Sequence, residues 1–251
     1  MSTLPVPGKY IVMHIPKCAG TSLRIALEEH FGRQALLLLY SRRDQFGRPH
    51  RPFSTYEQPF IIGHFGVDHF RDDEHGRRVI TFMRDPVDRV LSHYYYWRSR
   101  QEAGLGPRLA RCLSLADFLS SEVVAVRRQI VNLQAWMFIE NIDMLSRHRL
   151  ACVPQDELFE MAVENLKLFD FIGFTETFDK DLRFLSQKYG WGLPRRIDKR
   201  NRGPERPRAE ALDGETLDLL RSVTRLDRRL YDHVRKQVYP QQFRGVAEHE
   251  L

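Results

Sequence analysis

The chain has 251 residues, enough to bury a full hydrophobic core, and its balance of 42% hydrophobic and 29% charged residues excludes wholesale disorder. A net charge of +6 and a pI near 9.3 favour anionic partners, without choosing between nucleic acid, a small anionic cofactor and an acidic glycan. No apolar run approaches the roughly 18–20 residues of a membrane span. The three widely spaced cysteines, Cys18, Cys112 and Cys152, match no zinc pattern and point to free thiols in a reducing compartment.

The apolar run Tyr10-Ile11-Val12-Met13 reads as a buried strand. His14 to Leu23 then reads as a tight loop entering a helix. Leu23, Leu27 and Phe31 recur every four residues on one helix face, and Gly32 is the stop signal. A second strand is expected at 36–39, a polar loop over 41–58, and a short strand at 60–63 that delivers His64. Residues 79–83 form the strand before Arg84. Asp85 is a good N-cap and Pro86 a good first residue for a helix running toward residue 100, which the Gly104-Leu105-Gly106-Pro107 segment breaks.

Helices are expected at 115–119, 127–139 and 155–168, followed by a buried strand within 169–174. An amphipathic helix over 179–189 closes at Gly190, and a final helix covers about 215–238. Between them lies a basic, proline-containing stretch, 195–208, that reads equally as a solvated linker or as a flap over an anionic ligand. Strands interleaved with helices imply an α/β fold. The expected architecture is a P-loop-like parallel sheet with helices on both faces and additional helices in the C-terminal half, chiefly about 108–168. One domain spans 1–251, and ligands are expected at the carboxyl ends of the strands.

The chemistry concentrates in Pro16-Lys17-Cys18-Ala19-Gly20-Thr21-Ser22. A strand-to-helix junction offers free backbone N–H groups and the positive end of a helix dipole to an anion. Gly20 allows close backbone approach, and Thr21 and Ser22 add hydroxyl donors. Aligned with the nucleotide-phosphate loop G-x-x-x-x-G-K-[ST], the chain keeps Gly20 and Ser22 but has Ile15 for the first glycine and Thr21 for the lysine. Its lysine, Lys17, stands at the front of the loop. A P-loop nucleotide or small-molecule kinase is the alternative this weakens. A basic nucleic-acid-binding module is a second alternative; it fits the charge but not two phosphate motifs at strand ends.

A front-placed lysine followed by Gly-Thr-Ser resembles the phosphosulfate loop of sulfotransferases that use 3′-phosphoadenosine 5′-phosphosulfate (PAPS). The stretch Arg84-Asp85-Pro86 with Ser92 eight residues after the arginine is similar to the same family's 3′-phosphate motif. His14-Ile15-Pro16-Lys17-Cys18-Ala19-Gly20-Thr21-Ser22 most resembles the carbohydrate branch, which includes the heparan 2-O-sulfotransferases. There a typical loop reads I-P-K-T-G-G-T-S, so Cys18 and Ala19 stand for a threonine and a glycine. Gly63-His64-Phe65 looks like that branch's G-H-F segment. Asn132-Leu133-Gln134 and Phe174-Thr175-Glu176 look like shorter later landmarks.

The resemblance implies sulfuryl transfer from PAPS to a hydroxyl acceptor of the carbohydrate or glycoconjugate class. It implies cofactor contacts from Pro16 to Ser22 and from Arg84 and Ser92, a cationic role for Lys17, and His64 as general base. Asp68 and His69 are rival bases, and a histidine at a strand end satisfying a carbonyl is the plainer reading of His64. The cluster Tyr94-Tyr95-Tyr96-Trp97 reads as packing. No H-E-x-x-H spacing occurs, so no catalytic metal is expected. The N-terminus lacks the regions of a signal peptide, which with the missing span implies a soluble, cytoplasmic, bacterial-type member. No nucleic acid is expected as partner, and neither the acceptor nor the oligomeric state is specified.

Overall fold

Short, mainly apolar runs of four to six residues make largely buried strands, and here they assemble into one sheet. The computed structural model describes residues 5–40, 52–74, 76–101, 103–140, 150, 152–193 and 206–244. Strands β1 (Tyr10–Met13), β2 (Leu36–Leu39), β3 (Phe60–Gly63), β4 (Arg78–Met83) and β5 (Phe171–Phe174) pair in the order β2-β3-β1-β4-β5, all parallel. From β1 the chain passes to the edge strand β2, returns to β3 between the two, then crosses to β4 and β5 on the other side of β1. That reversal puts a crevice at the carboxyl ends of β1 and β4, where ligands bind in open α/β sheets.

Alternate strand residues face opposite layers. Tyr10, Val12, Phe60, Ile62, Ile80 and Phe82 pack with helix α1 (Gly20–Phe31) and its buried Leu23, Leu27 and Phe31. Ile11, Met13, Ile61, Val79 and Ile172 face the opposite way, against the helices of the C-terminal half. Helices therefore cover both faces, as expected. A third cluster, around Val90, Leu91, Tyr94 and Phe118, joins α2 (Pro86–Arg98), α3 (Leu105–Cys112), α4 (Leu115–Leu119) and α5 (Val124–Ile130). The remaining helices are α6 (Leu133–Ile139), α7 (Gln155–Asn165), α8 (Phe178–Lys188), α9 (Gly214–Val223) and α10 (Arg225–His233).

Two expected helices are each divided. Residues 127–139 break at Asn132, whose backbone is left-handed at φ 47°, giving α5 and α6. The Asn132 side chain accepts from the backbone N–H of Leu226 (2.9 Å) and Asp227 (3.3 Å), at the start of α10. Asp227 in turn accepts from Ala135 N at 2.7 Å, at the start of α6. Each helix thus supplies the other's N-terminal acceptor, satisfying donors that would be orphaned. The same exchange divides 215–238, because α9 ends at Thr224 so that α10 can start against Asn132. Further along, residues 155–168 finish as a 3₁₀ turn after Asn165, and the Gly104–Pro107 break opens α3.

Among the described residues, no helix is long and apolar enough to cross a membrane. Within them, too, no group of three or more His, Cys, Asp or Glu side chains is placed to hold a metal ion. Residues 41–51 of the expected loop at 41–58, and residues 195–205 of the basic stretch at 195–208, lie outside the described residues.

Candidate anion site at the ends of β1 and β4

The loop after β1 turns tightly because two of its residues leave the ordinary backbone regions. Lys17 has φ 70° and Ala19 φ 59°, both left-handed without the relief a glycine would give. Each costs roughly 1–2 kcal/mol, a strain that clusters at sites of function. Between them Cys18 N donates to Ile15 O at 3.1 Å. Left-handed residues in such a turn aim successive backbone N–H groups into one concavity. The first turn of α1 follows at once and adds its own free N–H groups, with Thr21 and Ser22 half-buried there.

Gly20 has a second role beside the one the pattern suggests. Its φ is not positive, and a Cβ there would lie inside the ring of His14. The glycine therefore makes room for His14, which is buried and wedged between the loop and the end of β3. His14 Nδ1 pairs with Tyr40 Oη at 2.8 Å, and its ring meets that of His64 at 4.6 Å. Tyr40 and His64 meet at 4.8 Å. We expect Gly20→Ala to displace the His14 ring and destabilise the fold by about 1–3 kcal/mol, as overpacking does. Removing the obstacle in Gly20→Ala/His14→Ala should restore part of that loss, read as coupling between denaturant midpoints.

At the end of β4, Asp85 caps α2 by accepting from Asp88 N at 3.1 Å, and Pro86 starts the helix, as expected. The half-buried Arg84 then reaches across to the loop, donating from Nη1 to Lys17 O at 3.3 Å. Gln134, fully buried on α6, ties the two together. Its Oε1 accepts from Arg84 N (3.0 Å) and from the Cys18 thiol (3.5 Å), while Nε2 donates to Arg84 O (2.9 Å). Burial pushes the Cys18 thiol up to about 12, so it stays protonated and donating. Glu176, after β5, accepts from Asp85 N at 2.8 Å and fixes the same corner.

Ser92 lies one turn along α2 from Asp88 and one turn before Tyr96, so the three share a row on the helix surface. Asp88 meets Arg84 at 3.8 Å, and the Tyr96 ring lies 3.9 Å from Lys17 Nζ. Both neighbours of Ser92 in the row therefore contact the site. Arg206, at the described end of the basic stretch, donates to Asp88 O (3.1 Å) and Oδ1 (3.2 Å). Burial, then the Arg84 charge, lowers the Lys17 pKa to about 8, with Arg206 and Arg100 adding to it. Comparison with protein-family models and with curated proteins finds no match.

The cations Lys17, Arg84 and Arg206 and the backbone N–H groups of the loop thus converge on one crevice. Asp88 is the carboxylate that meets the two arginines. An open groove of about 970 Å³ adjoins this corner, sharing Asp85, Asp88, Glu176 and Arg206 with it and continuing past Arg225 and Arg228. Lys17 and His64 do not line that groove. Burial pushes His64 down to about 4 and, with the His64, Lys17 and Arg24 charges, holds His14 well below the usual histidine range. Asp68 and His69 pair with each other at 3.0 Å, and His69 packs on Phe65.

Sequence reasoning placed Lys17, Arg84 and Ser92 at this crevice. It gives Gln134 little weight, reads the stretch that holds Arg206 equally as a linker or a flap, takes Tyr96 as packing, and does not single out His14. Tyr96 was findable, being one helical turn from Ser92. Gln134 carries only the short landmark Asn132-Leu133-Gln134, and its role stays hidden because its contacts lie 50 and 116 residues away.

Proposed function

We propose that this protein transfers a sulfuryl group from PAPS to a hydroxyl, with a carbohydrate as the acceptor class. The observation that carries the reading is the convergence of the Lys17 loop and Arg84, tied through Gln134, with the Asp88–Ser92–Tyr96 row alongside. A ligand with two anionic groups suits a crevice with a loop of backbone donors on one side and a pair of arginines beside it. The donor set fits: backbone N–H groups from Ala19 to Ser22 for a 5′-phosphosulfate, with Cys18 N held by Ile15 O as the turn that presents them, and Arg84, Ser92 and Arg206 for a 3′-phosphate. Pro16 shapes the turn before Lys17.

In the transfer, the acceptor oxygen attacks sulfur in line, and the bond from sulfur to the bridging oxygen breaks. The electron pair leaves with adenosine 3′,5′-bisphosphate. Lys17 stabilises the charge that develops on that oxygen, and His64 receives the acceptor's proton. A kinase reading lacks the lysine directly behind Gly20, where Thr21 stands. The arginines of the adjoining groove favour an anionic occupant there.

Arg84→Ala and Ser92→Ala test the assignment. Losing a hydrogen bond to a charged group costs about 1.5–3 kcal/mol, or roughly tenfold to a hundredfold in affinity. That loss should appear for PAPS and for adenosine 3′,5′-bisphosphate by calorimetry. Binding of adenosine 5′-phosphosulfate, which lacks the 3′-phosphate, should be nearly unchanged. Equal losses for both ligand types would remove the 3′-phosphate role, and absence of transfer from radiolabelled PAPS to any hydroxyl acceptor would remove the activity.

A further inference from the structure

A half-buried ammonium normally needs a carboxylate beside it, and Lys17 makes no ion pair among the described residues. The charges around it oppose it: Arg84 from the end of β4, Arg206 from the basic stretch and Arg100 from beyond α2. Cys18 beside it acts the other way, and the neutral rings of His14 and His93 complete its titratable surroundings. The group that meets its Nζ is the face of Tyr96, 3.9 Å away, on the same α2 row as Asp88 and Ser92. Arg100 lies over that ring at 5.4 Å.

We infer that Tyr96 is the positioning residue for Lys17: its ring face holds the ammonium, charged, at the loop end of the Asp88–Ser92–Tyr96 row. An aromatic face suits the task better than a carboxylate. Its quadrupole attracts a cation without carrying net charge, so it does not repel an anionic ligand. It also lets the ammonium turn toward negative charge that develops nearby, whereas an ion pair would hold it back. The holding role stands on geometry alone; its consequence for turnover rests on the sulfuryl-transfer reading.

The test is a ¹³C NMR titration of lysine-labelled protein, with the Lys17 signal assigned by its loss in Lys17→Arg. Tyr96→Leu should lower the Lys17 pKa by about one unit, the size expected of a partly desolvated cation–π contact. Tyr96→Phe keeps the ring and should leave it within a few tenths. A Tyr96→Phe series with increasing ring fluorination, nearly unchanged in shape, should lower it stepwise, and it decides the matter if Tyr96→Leu does not fold. An unshifted Lys17 in Tyr96→Leu and across the fluorinated series would overturn the inference. So would a Tyr96→Phe shift as large as that of Tyr96→Leu, which would assign the effect to the hydroxyl. Where transfer is measured, kcat should fall about tenfold in Tyr96→Leu with KM for the sulfuryl donor changed less than about threefold. If no transfer is found, the titration still reads the Tyr96–Lys17 contact.

Discussion

Lys17→Ala is expected to reduce turnover by about 10²–10³ while the protein stays folded. The side chain lies outside the packed clusters and touches the Tyr96 face, so its removal opens no core cavity. The contacts that hold the loop are made by backbone atoms: Arg84 Nη1 on Lys17 O and Cys18 N on Ile15 O. Alanine tolerates a φ of 70° no worse than lysine does, since both carry a Cβ. On the sulfuryl-transfer reading, what is lost is the cation nearest the point where leaving-group charge develops. On the same reading, Lys17 is expected to set the alkaline side of the pH profile. With its pKa held near 8, the ammonium loses its proton above that value, and turnover should fall there. The residual turnover of Lys17→Ala should lack that limb. Steady-state rates with radiolabelled donor across pH, beside circular-dichroism melts, check both points. A folded Lys17→Ala with nearly normal turnover would reject the assignment.

What the sequence makes legible here is whatever is local. Strand β1, helix α1 with its Leu23–Leu27–Phe31 face, and the Asp85–Pro86 start of α2 are set by neighbours a few residues apart, and they form as expected. The breaks at Asn132 and Thr224 are set by contacts across more than 90 residues, where Asn132 and Asp227 cap each other's helices. Helical periodicity runs through both breaks and hides them. The site divides in the same way. Lys17 and Arg84 stand at strand ends and can be read from motif and order. Gln134, which joins them, and Arg206, which pairs with Asp88, arrive through the tertiary fold. Gly20 shows a further limit, because the pattern marks the residue but not its reason. The glycine that resembles a ligand-approach position is also the space the His14 ring needs. Ala19, where the similar loops have glycine, keeps the left-handed turn at a cost in strain.

His64→Ala is expected to lower turnover by about 10²–10⁴ and to leave affinity for the donor nearly unchanged. His64 follows β3 as the Lys17 loop follows β1, and these strands are direct neighbours, with Met13 paired to Gly63. His14 N donates to Gly63 O at 2.8 Å, which holds the two exits side by side. The His64 ring rests against His14 and Tyr40, and it lies close enough to His93 to act on that residue's charge, as Lys17 does. A base works when unprotonated. Burial moves the His64 pKa from the ordinary value near 6.5 down to about 4, so the ring is neutral at every pH above that. The acid limb of kcat/KM should therefore lie near 4, leaving the rate flat between about pH 5 and the Lys17 limb near 8. In His64→Ala the acid limb should disappear together with most of the rate. The rival is the Asp68–His69 pair, held at 3.0 Å on the turn beyond β3. Its ring packs on Phe65 rather than on His14, and no contact joins it to the Lys17 loop among the described residues. A mild His64→Ala beside a severe Asp68→Ala or His69→Ala would move the base to that pair and leave His64 as packing for His14.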